Sequence, residues 1–528
     1  MEVPVPSLRW RAFVVLVLLV GFYIVTFLLS AVLFVVPFVH IYFGGFHGLV
    51  NVLSFVACWA PAFVILMAAL GARPPKFSPD GIELFPSQNP ALYALVEEVA
   101  QKAGTSAPGQ IFLMAMPMAG VVEVGGFFAR KSRRVLLLGA PLLSGITIEQ
   151  LRAILAHEMG HFIGGETRLT GVISYAKHTF AAVYEASLKR GTSDGLYGGL
   201  ASEATHAVGT GYVRLYMRLF LACTQPTSRK QEIAADALSV RLCGKKAAIG
   251  ALERAHFIAP LYRAYLENEV SVALDAGAAP LELLEGFDIF CAKISERGLH
   301  SKLGDLVRAE KTDPFDSHPA YSDRVAMMET FVEGPPVDVP NGERSALELV
   351  EVDAEKLRSW LVDLLLDTAV AGRGLPRLTW STIMEKKLPA KIRKDAKGLV
   401  EVLGKHFPRV KGTPAIFRAT LGTLGDGSFV NLAHLIAPTL AHVGTSNRVG
   451  AVQSLGAFLI THLFEATLLK RGATIDVSIG EPSLVFVFEG ERVRTGELVA
   501  KAMSDDAAAA ELTRWADRLL AAPAASPS

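Results

Sequence analysis

Residues 155–161 read LAHEMGH, in which two histidines stand four positions apart and a glutamate follows the first. On a helix, side chains four residues apart lie on the same face, so His157 and His161 can present imidazole nitrogens to one ion. Zinc favours such ligands and binds them at about 2.0–2.1 Å in a tetrahedral site. Glu158 would lie beside that face, where it could take the proton of a zinc-bound water and pass it to a leaving amine. The motif therefore indicates hydrolysis of a peptide bond.

A catalytic zinc ion needs a third protein ligand and an open fourth position for water. The stretch SRKQEIAAD contains Glu232 and Asp236, which are again four residues apart. Glu232 would complete a site of two histidines and one glutamate, while Asp236 would accept the remaining ring N–H of a ligand histidine. Acidic pairs on helices usually form a solvated face. Two alanines between the acids would let helices approach closely, and with LAHEMGH upstream we favour the metal site.

The two motifs need elements that bring them together. Thr147 and Gln150 form a capping box, which predicts a helix over residues 148–162 with LAHEMGH near its end. Pro226 and Ser228 predict the start of a second helix, which would carry Glu232. Short apolar runs separated by turn residues precede the first helix. They predict a small sheet with strands at 111–116, 120–128 and 134–139.

The N-terminal part of the chain is predicted to be a membrane anchor. No Asp, Glu, Lys or Arg occurs between Arg11 and Arg73, and residues 12–36 and 49–71 are each long enough to cross a bilayer as a helix. A cleaved signal peptide followed by a buried helix is the alternative, but the first run exceeds the usual apolar length of about 7–15 residues. Basic residues flank the hairpin on its outer sides, so both termini and the remaining chain are predicted to be cytoplasmic.

Two further stretches, 203–224 and 451–469, are apolar enough to raise the question of more spans. Charged or polar residues interrupt both of them: Arg214, Arg218, His462 and Glu465. We therefore interpret the first stretch as an amphipathic cover and the second as a buried helix, with a membrane span as the alternative in each case.

Length and composition limit the remaining possibilities. The chain has 528 residues, too many for one ordinary domain. We predict an anchor over 1–75, a metallopeptidase domain over 76–335 and a C-terminal α+β region of unknown role over 344–528. A linker is predicted at 72–90, between the anchor and the metallopeptidase domain. The net charge of +1 gives no reason to expect a nucleic-acid partner. Four scattered cysteines form no CxxC pair and argue against a disulfide framework.

Three motifs in order resemble those of a known family. HEMGH, SRKQEIAAD and DSHPAYSDR correspond to the HExxH, ExxxD and HPxxxxR of the integral-membrane zinc metallopeptidases, which include the CAAX prenyl endopeptidase and the heat-shock protease HtpX. The resemblance covers residues 1–335 and implies a mostly helical α+β fold. That fold comprises a transmembrane helical hairpin and a gluzincin-like zinc metalloprotease domain with a small sheet. The C-terminal region has no counterpart in the family.

The resemblance also implies roles for individual residues. It implies one zinc ion per chain on His157, His161 and Glu232, with Glu158 as the general base. His318 would stabilise the oxyanion or act as a transient fourth ligand, with a purely structural turn histidine as the alternative. Arg324 would organise the site through a carboxylate. The implied location is the bacterial inner membrane, and the implied substrates are peptides or proteins, including membrane proteins.

The chain departs from the family at two places. The family carries Asn-Ala-Phe on the strand before the catalytic helix, where this chain reads GGFFAR at 125–130. That strand would pair with the substrate backbone. Family members also have two further spans between the first two motifs, whereas this insert carries arginines.

We therefore expect a membrane-anchored zinc-dependent endopeptidase that acts in the quality control of membrane proteins. The alternative is a non-catalytic membrane scaffold or binding protein with a structural zinc site. Glu158 discriminates between the two, because a structural site does not need a general base. The sequence carries no feature that specifies an oligomeric state.

Overall fold

The protein is described here by a computed structural model. It describes residues 8–71, 78–124, 133–163, 176, 179–186, 188, 196–298, 304–305, 307–309, 319–335, 339–369, 374–425, 428–436, 445–476, 479–481 and 483–522. The fold is mostly helical with small sheets, as predicted. The chain packs into two compact units: unit 1 is Met1–Ala259 with Leu303–Glu351, and unit 2 is Pro260–Lys302 with Val352–Ser528. The domain division predicted from the sequence stays a prediction.

Unit 1 begins with a helical hairpin made of α1 (Leu8–Gly44) and α2 (Leu49–Gly71). Trp59 Nε1 donates to the carbonyl of Phe34 across the hairpin at 3.1 Å, and Ser30 Oγ donates to the carbonyl of Ala62 at 3.2 Å. Most of the remaining surface of α1 is apolar and exposed. Helices of this length and composition are suited to lipid on their outer faces.

Among the described residues, three helices are long and apolar enough to cross a membrane, judged by length and composition: Phe13–Gly44, Leu49–Gly71 and Gly450–Lys470. In the third, 61% of the most apolar window is buried within the protein, against 22% in each of the other two. Protein side chains already cover most of that helix, which agrees with its interpretation as a buried helix.

A four-stranded sheet follows the hairpin, with the strand order β1-β2-β4-β3. Its strands are β1 (Gly81–Leu84), β2 (Gln110–Met114), β3 (Ala119–Val124) and β4 (Arg133–Gly139). The three predicted strands are confirmed as β2, β3 and β4. The prediction of a linker over 72–90 was wrong for β1, which pairs antiparallel with β2. Leu84 of β1 is 1% exposed. Its burial outweighs the preference of the surrounding proline and serine residues for a loop. β3 lies at the edge of the sheet, antiparallel to β4.

Unit 1 also contains several helices, which include α3 (Pro90–Ala103), α4 (Ala140–Gly145), α5 (Ile148–Gly160) and α6 (Leu196–Cys243). Of these, α4 and α5 pack against this sheet. The predicted helix start at Pro226 was wrong, because the backbone of α6 continues through that position. A proline inside a helix costs about 3 kcal/mol. Packing of α6 against the hairpin before the proline and against α5 after it offsets that cost.

The first half of α6 lies against the hairpin. Its buried Val213 and Phe220 join Phe22 in one hydrophobic cluster, whereas Arg214 and Arg218 are exposed. One side of the stretch therefore packs on the hairpin, and the other side carries exposed arginines. The choice between a cover and a further span stays a prediction.

The remaining helices are α7 (Lys245–Tyr265), α8 (Ser271–Asp275), α9 (Leu283–Glu296), α10 (Tyr321–Met328), α11 (Ala354–Ala369), α12 (Trp380–Thr382), α13 (Leu388–His406), α14 (Thr413–Gly425), α15 (Phe429–Ile436), α16 (Thr445–Lys470), α17 (Thr495–Ala502) and α18 (Asp506–Ala521). Leu266–Val270 and Ile383–Lys387 are π-helical, and Ala346–Leu349 is a 3-10 helix. Unit 2 also contains β5 (Ala279–Pro280) paired with β6 (Arg377–Leu378), and a sheet of β7 (Thr474–Asp476), β8 (Val485–Phe488) and β9 (Glu491–Arg494). The C-terminal region is thus α+β, as predicted.

Candidate metal centre

Helix α5 carries the first motif, and its start is fixed by the predicted capping box. The amide N–H of Gln150 donates to Thr147 Oγ1 at 3.2 Å, and the amide N–H of Thr147 donates to Gln150 Oε1 at 3.0 Å. These bonds satisfy donors that a helix N-terminus otherwise leaves without partners. The helix ends at Gly160, with His161 as its C-terminal cap, slightly earlier than the sequence predicted.

Helices α5 and α6 approach closely at the metal centre. A Cβ added to Gly160 would lie 2.7 Å from Cα and 3.0 Å from Cβ of Ala235, so only glycine fits at this position. One turn further along α6, Ser239 Oγ donates to the carbonyl of Ala153 at 2.8 Å. The small residues therefore bring the second motif against the first, as the alanines of SRKQEIAAD led us to expect.

Three side chains converge on one point between these helices. His157 Nε2 lies 3.2 Å from His161 Nε2 and 3.6 Å from Glu232 Oε2, while His161 Nε2 lies 3.7 Å from Glu232 Oε1. Ligand atoms about 2.0–2.1 Å from a tetrahedral zinc ion lie about 3.3 Å apart. The spacings therefore fit a single ion. Two imidazoles and one carboxylate are also a donor set that suits zinc, so the group can hold a metal.

A buried ion pair supports the ligands from behind. Asp236 Oδ1 lies 2.9 Å from His157 Nδ1, which leaves Nε2 to face the metal position. Arg324, on α10, donates from Nη2 to Asp236 Oδ1 at 2.6 Å and from Nε to Oδ2 at 2.8 Å. Arg324 Nη1 also lies 3.7 Å from Glu232 Oε2. This guanidinium therefore connects the third ligand with the carboxylate that holds the first.

The electrostatics follow from this pairing. Burial alone would raise the pKa of Asp236, but hydrogen bonds and charge from Arg324 and His157 lower it to about 2. Burial would likewise lower the pKa of Arg324, but Asp236, with smaller effects of Glu232 and Glu158, raises it above its usual value. Asp236 is thus an anion at neutral pH and can accept a hydrogen bond from the imidazole ring.

Burial is uneven across the centre. The side chain of Glu232 is 7% exposed, that of His157 is 15% exposed and that of His161 is 28% exposed. The centre therefore opens on the side of His161. Glu158 is half-buried and follows His157 directly on α5. Its carboxylate acts on the pKa of Arg324, so Glu158 belongs to the same electrostatic cluster.

The structure thus brings together His157, His161, Glu232, Asp236 and Arg324, all chosen from the sequence. His318 and the GGFFAR stretch at 125–130 lie outside the described residues. Gly160 and Ser239 were missed, although they set the approach of the two helices. The signal available for Gly160 was its position inside LAHEMGH, where a helix-weakening residue needs a packing reason.

Part of the chain is similar in sequence to known proteases. Residues 86–332 match the sequence profile of peptidase family M48. Protease HtpX of Idiomarina loihiensis is 32% identical over 171 residues, which are 31% of this chain and 56% of that protein. Protease HtpX of Stutzerimonas stutzeri is 27% identical over 173 residues, again 31% and 56%. The chain spans about half the length of the curated relatives it matches. No solved structure matches the chain.

Proposed function

Because residues 86–332 match the sequence profile of peptidase family M48, we propose that the chain is a membrane-anchored, zinc-dependent endopeptidase of that family. The observation that carries this proposal is the convergence of His157, His161 and Glu232 on one point, with Glu158 next to a ligand. Zinc bound there would supply Lewis acidity, which lowers the pKa of a water molecule and polarises a carbonyl.

The other roles in the reaction would be taken by side chains of the protein. His157, His161 and Glu232 would hold the ion, and Asp236 would fix the ring of His157 so that Nε2 faces it. Arg324 keeps Asp236 ionised. Glu158 would take the proton from the attacking water and deliver it to the nitrogen of the leaving amine. His318 would stabilise the negative charge that develops on the carbonyl oxygen.

We further propose that the ion-binding side of unit 1 faces the cytoplasm. Basic residues flank the hairpin only at its outer ends, and the rule that positive loops stay inside then places both termini there. The first half of α6 lies against the hairpin, so substrates at or in the membrane, such as damaged membrane proteins, are the class that this arrangement favours. A bacterial inner membrane fits the organisms of the relatives.

The test is Glu158→Gln in the full chain, purified in detergent. We expect zinc content to stay at one ion per chain and cleavage of casein to fall by on the order of 100-fold or more, because the proton acceptor is removed while the ligands remain. The control is Glu97→Gln, the same change at an exposed position of α3.

Two outcomes would contradict the proposal, the first for its mechanism and the second for its activity. If Glu158→Gln cleaves casein as fast as the unchanged chain, Glu158 is not the base. If the unchanged chain holds zinc tightly and cleaves neither casein nor membrane proteins, the non-catalytic scaffold with structural zinc is the better description.

A further inference from the structure

Residues 339–351, which we name the strap, follow the part of the chain that matches the family and fold back on the start of α5. The amide N–H of Ile148 donates to the carbonyl of Arg344 at 2.9 Å, and the amide N–H of Glu149 donates to the carbonyl of Gly342 at 3.0 Å. In return, the amide N–H of Ala346 donates to the carbonyl of Ile146 at 2.9 Å. The strap thus pairs with α5 as a short antiparallel bridge.

These bonds complete the cap of the active-site helix. The first N–H groups of a helix have no partner within the helix. Thr147 satisfies the one on Gln150, and the strap satisfies those on Ile148 and Glu149. The capping box visible in the sequence therefore accounts for only part of what fixes α5.

Two turns give the strap a defined backbone conformation. Asn341 adopts a left-handed backbone with φ of 56° although its side chain is exposed. This conformation closes two turns, in which the amide of Gly342 donates to the carbonyl of Val339 at 2.9 Å and the amide of Arg344 donates to the carbonyl of Asn341 at 3.0 Å. The turns aim the carbonyls of Gly342 and Arg344 at the helix.

The far end of the strap is anchored as well. Ala346 is fully buried, and Ser345 Oγ donates to the carbonyl of Leu143 in α4 at 3.3 Å. The amide of Glu351 donates to Oδ1 of Asn89, the buried residue before α3, at 2.7 Å. The strap therefore ties the starts of α3 and α5 to α4.

We propose that the strap is a positioning element for the reaction, so that the functional peptidase extends to residue 351. This inference rests on the proposed function. His157 lies nine residues beyond Ile148, about 14 Å along the helix. A tilt of about 5° at the capped end would move the imidazole by on the order of 1 Å, a displacement that can lower a catalytic rate by about 100-fold. The strap limits that tilt.

The experiment compares three variants of the full chain in detergent. Asn341→Val puts a β-branched residue into the left-handed turn and strains it. Asn341→Gly is the conservative variant, since glycine adopts this conformation freely. Glu489→Val is the matched control, because Glu489 is also exposed and has φ of 51°, but it lies in unit 2.

For Asn341→Val we expect kcat to fall about tenfold or more with KM within about twofold, and amide hydrogen exchange at Ile148 and Glu149 to quicken about tenfold. Zinc affinity, measured by competition with a chelator, should fall as well. Asn341→Gly and Glu489→Val should keep the unchanged kcat. Ala346→Pro removes one strap hydrogen bond at the first position of a helical turn, and it serves as a second variant if Asn341→Val does not fold.

Wild-type kcat and zinc affinity in a variant whose Ile148 and Glu149 amides have lost protection would overturn the proposal. So would an equal loss of kcat in Glu489→Val. A chain that binds zinc but cleaves nothing would contradict the proposed function alone, because zinc affinity and exchange still report on the strap.

Discussion

In its first half, α6 buries aromatic side chains against the hairpin, whereas in its second half it buries carboxylates at the metal centre. Tyr212 and Tyr216 donate their hydroxyls to the carbonyls of Phe22 and Leu18 at 3.0 and 2.5 Å. As whole residues, Glu232 and Asp236 are only 5% and 3% exposed. Their buried carboxylates are paired with Arg324 and contact the histidines.

The two halves should respond differently to the loss of one group. In the hairpin half, apolar area contributes most of the stability, and one hydroxyl contributes about 0.5–1.5 kcal/mol. In the metal half, removal of one partner leaves a buried charge uncompensated, which costs about 3–5 kcal/mol. A single substitution should therefore change the free energy of unfolding more in the second half of α6 than in the first.

The largest effect is expected for Arg324→Met. This change leaves Asp236 and Glu232 without their buried cation, so the free energy of unfolding in detergent should fall by about 3–5 kcal/mol. Zinc affinity should fall too, because Asp236 no longer holds His157 firmly. Arg254→Met, at an exposed position of α7, is the control and should change the free energy of unfolding by less than about 0.5 kcal/mol. If the two variants are equally stable, the predicted difference between the two halves of α6 is wrong.

A smaller effect is expected for Gly160→Ala. The new methyl group would meet backbone of α6, so the free energy of unfolding should fall by about 1–3 kcal/mol and zinc affinity should fall as the helices separate. Gly211→Ala, in the hairpin half of α6, meets no atom within 4 Å and should instead raise stability by about 0.5–1 kcal/mol. Thermal unfolding of both variants measures the difference. A Gly160→Ala chain as stable and as zinc-avid as Gly211→Ala would contradict the close approach.

The smallest effect is expected for Tyr216→Phe. The carbonyl of Leu18 loses one donor, so the free energy of unfolding should fall by about 0.5–1.5 kcal/mol, and zinc affinity should not change. Tyr42→Phe is the control and should change neither quantity, because Tyr42 is 83% exposed. If Tyr216→Phe weakens zinc binding, the two halves are coupled and the contrast drawn above must be revised.

The sequence predicted those parts of the centre that depend on local spacing. His157, His161, Glu232 and Asp236 repeat at intervals of one helical turn, which is a property of neighbouring residues. The capping box and the strands β2, β3 and β4 were predictable for the same reason. Arg324 came from the family resemblance, since its distance along the chain carries no periodic signal.

Other features depend on contacts that no local pattern encodes. The continuation of α6 through Pro226 depends on packing at both ends of that helix, which outweighs the local preference for a helix start. The strap acts through backbone carbonyls, so its side chains carry no motif. Its stretch reads like a domain boundary because Pro and Gly favour turns, and here those turns serve to cap a helix.

The strap also has a consequence in time. Arg344 is synthesised about 200 residues after Ile148, the amide that it caps. At a usual rate of about 5–20 residues per second, the ribosome needs about 10–40 seconds to cover that distance. By the end of this interval the anchoring hairpin and helix α6 have been synthesised, but the start of α5 has lacked its last partners throughout. If the strap positions the site, each new chain reaches the membrane before its site is complete. A nascent chain would then not cleave neighbouring membrane proteins until synthesis has passed residue 351.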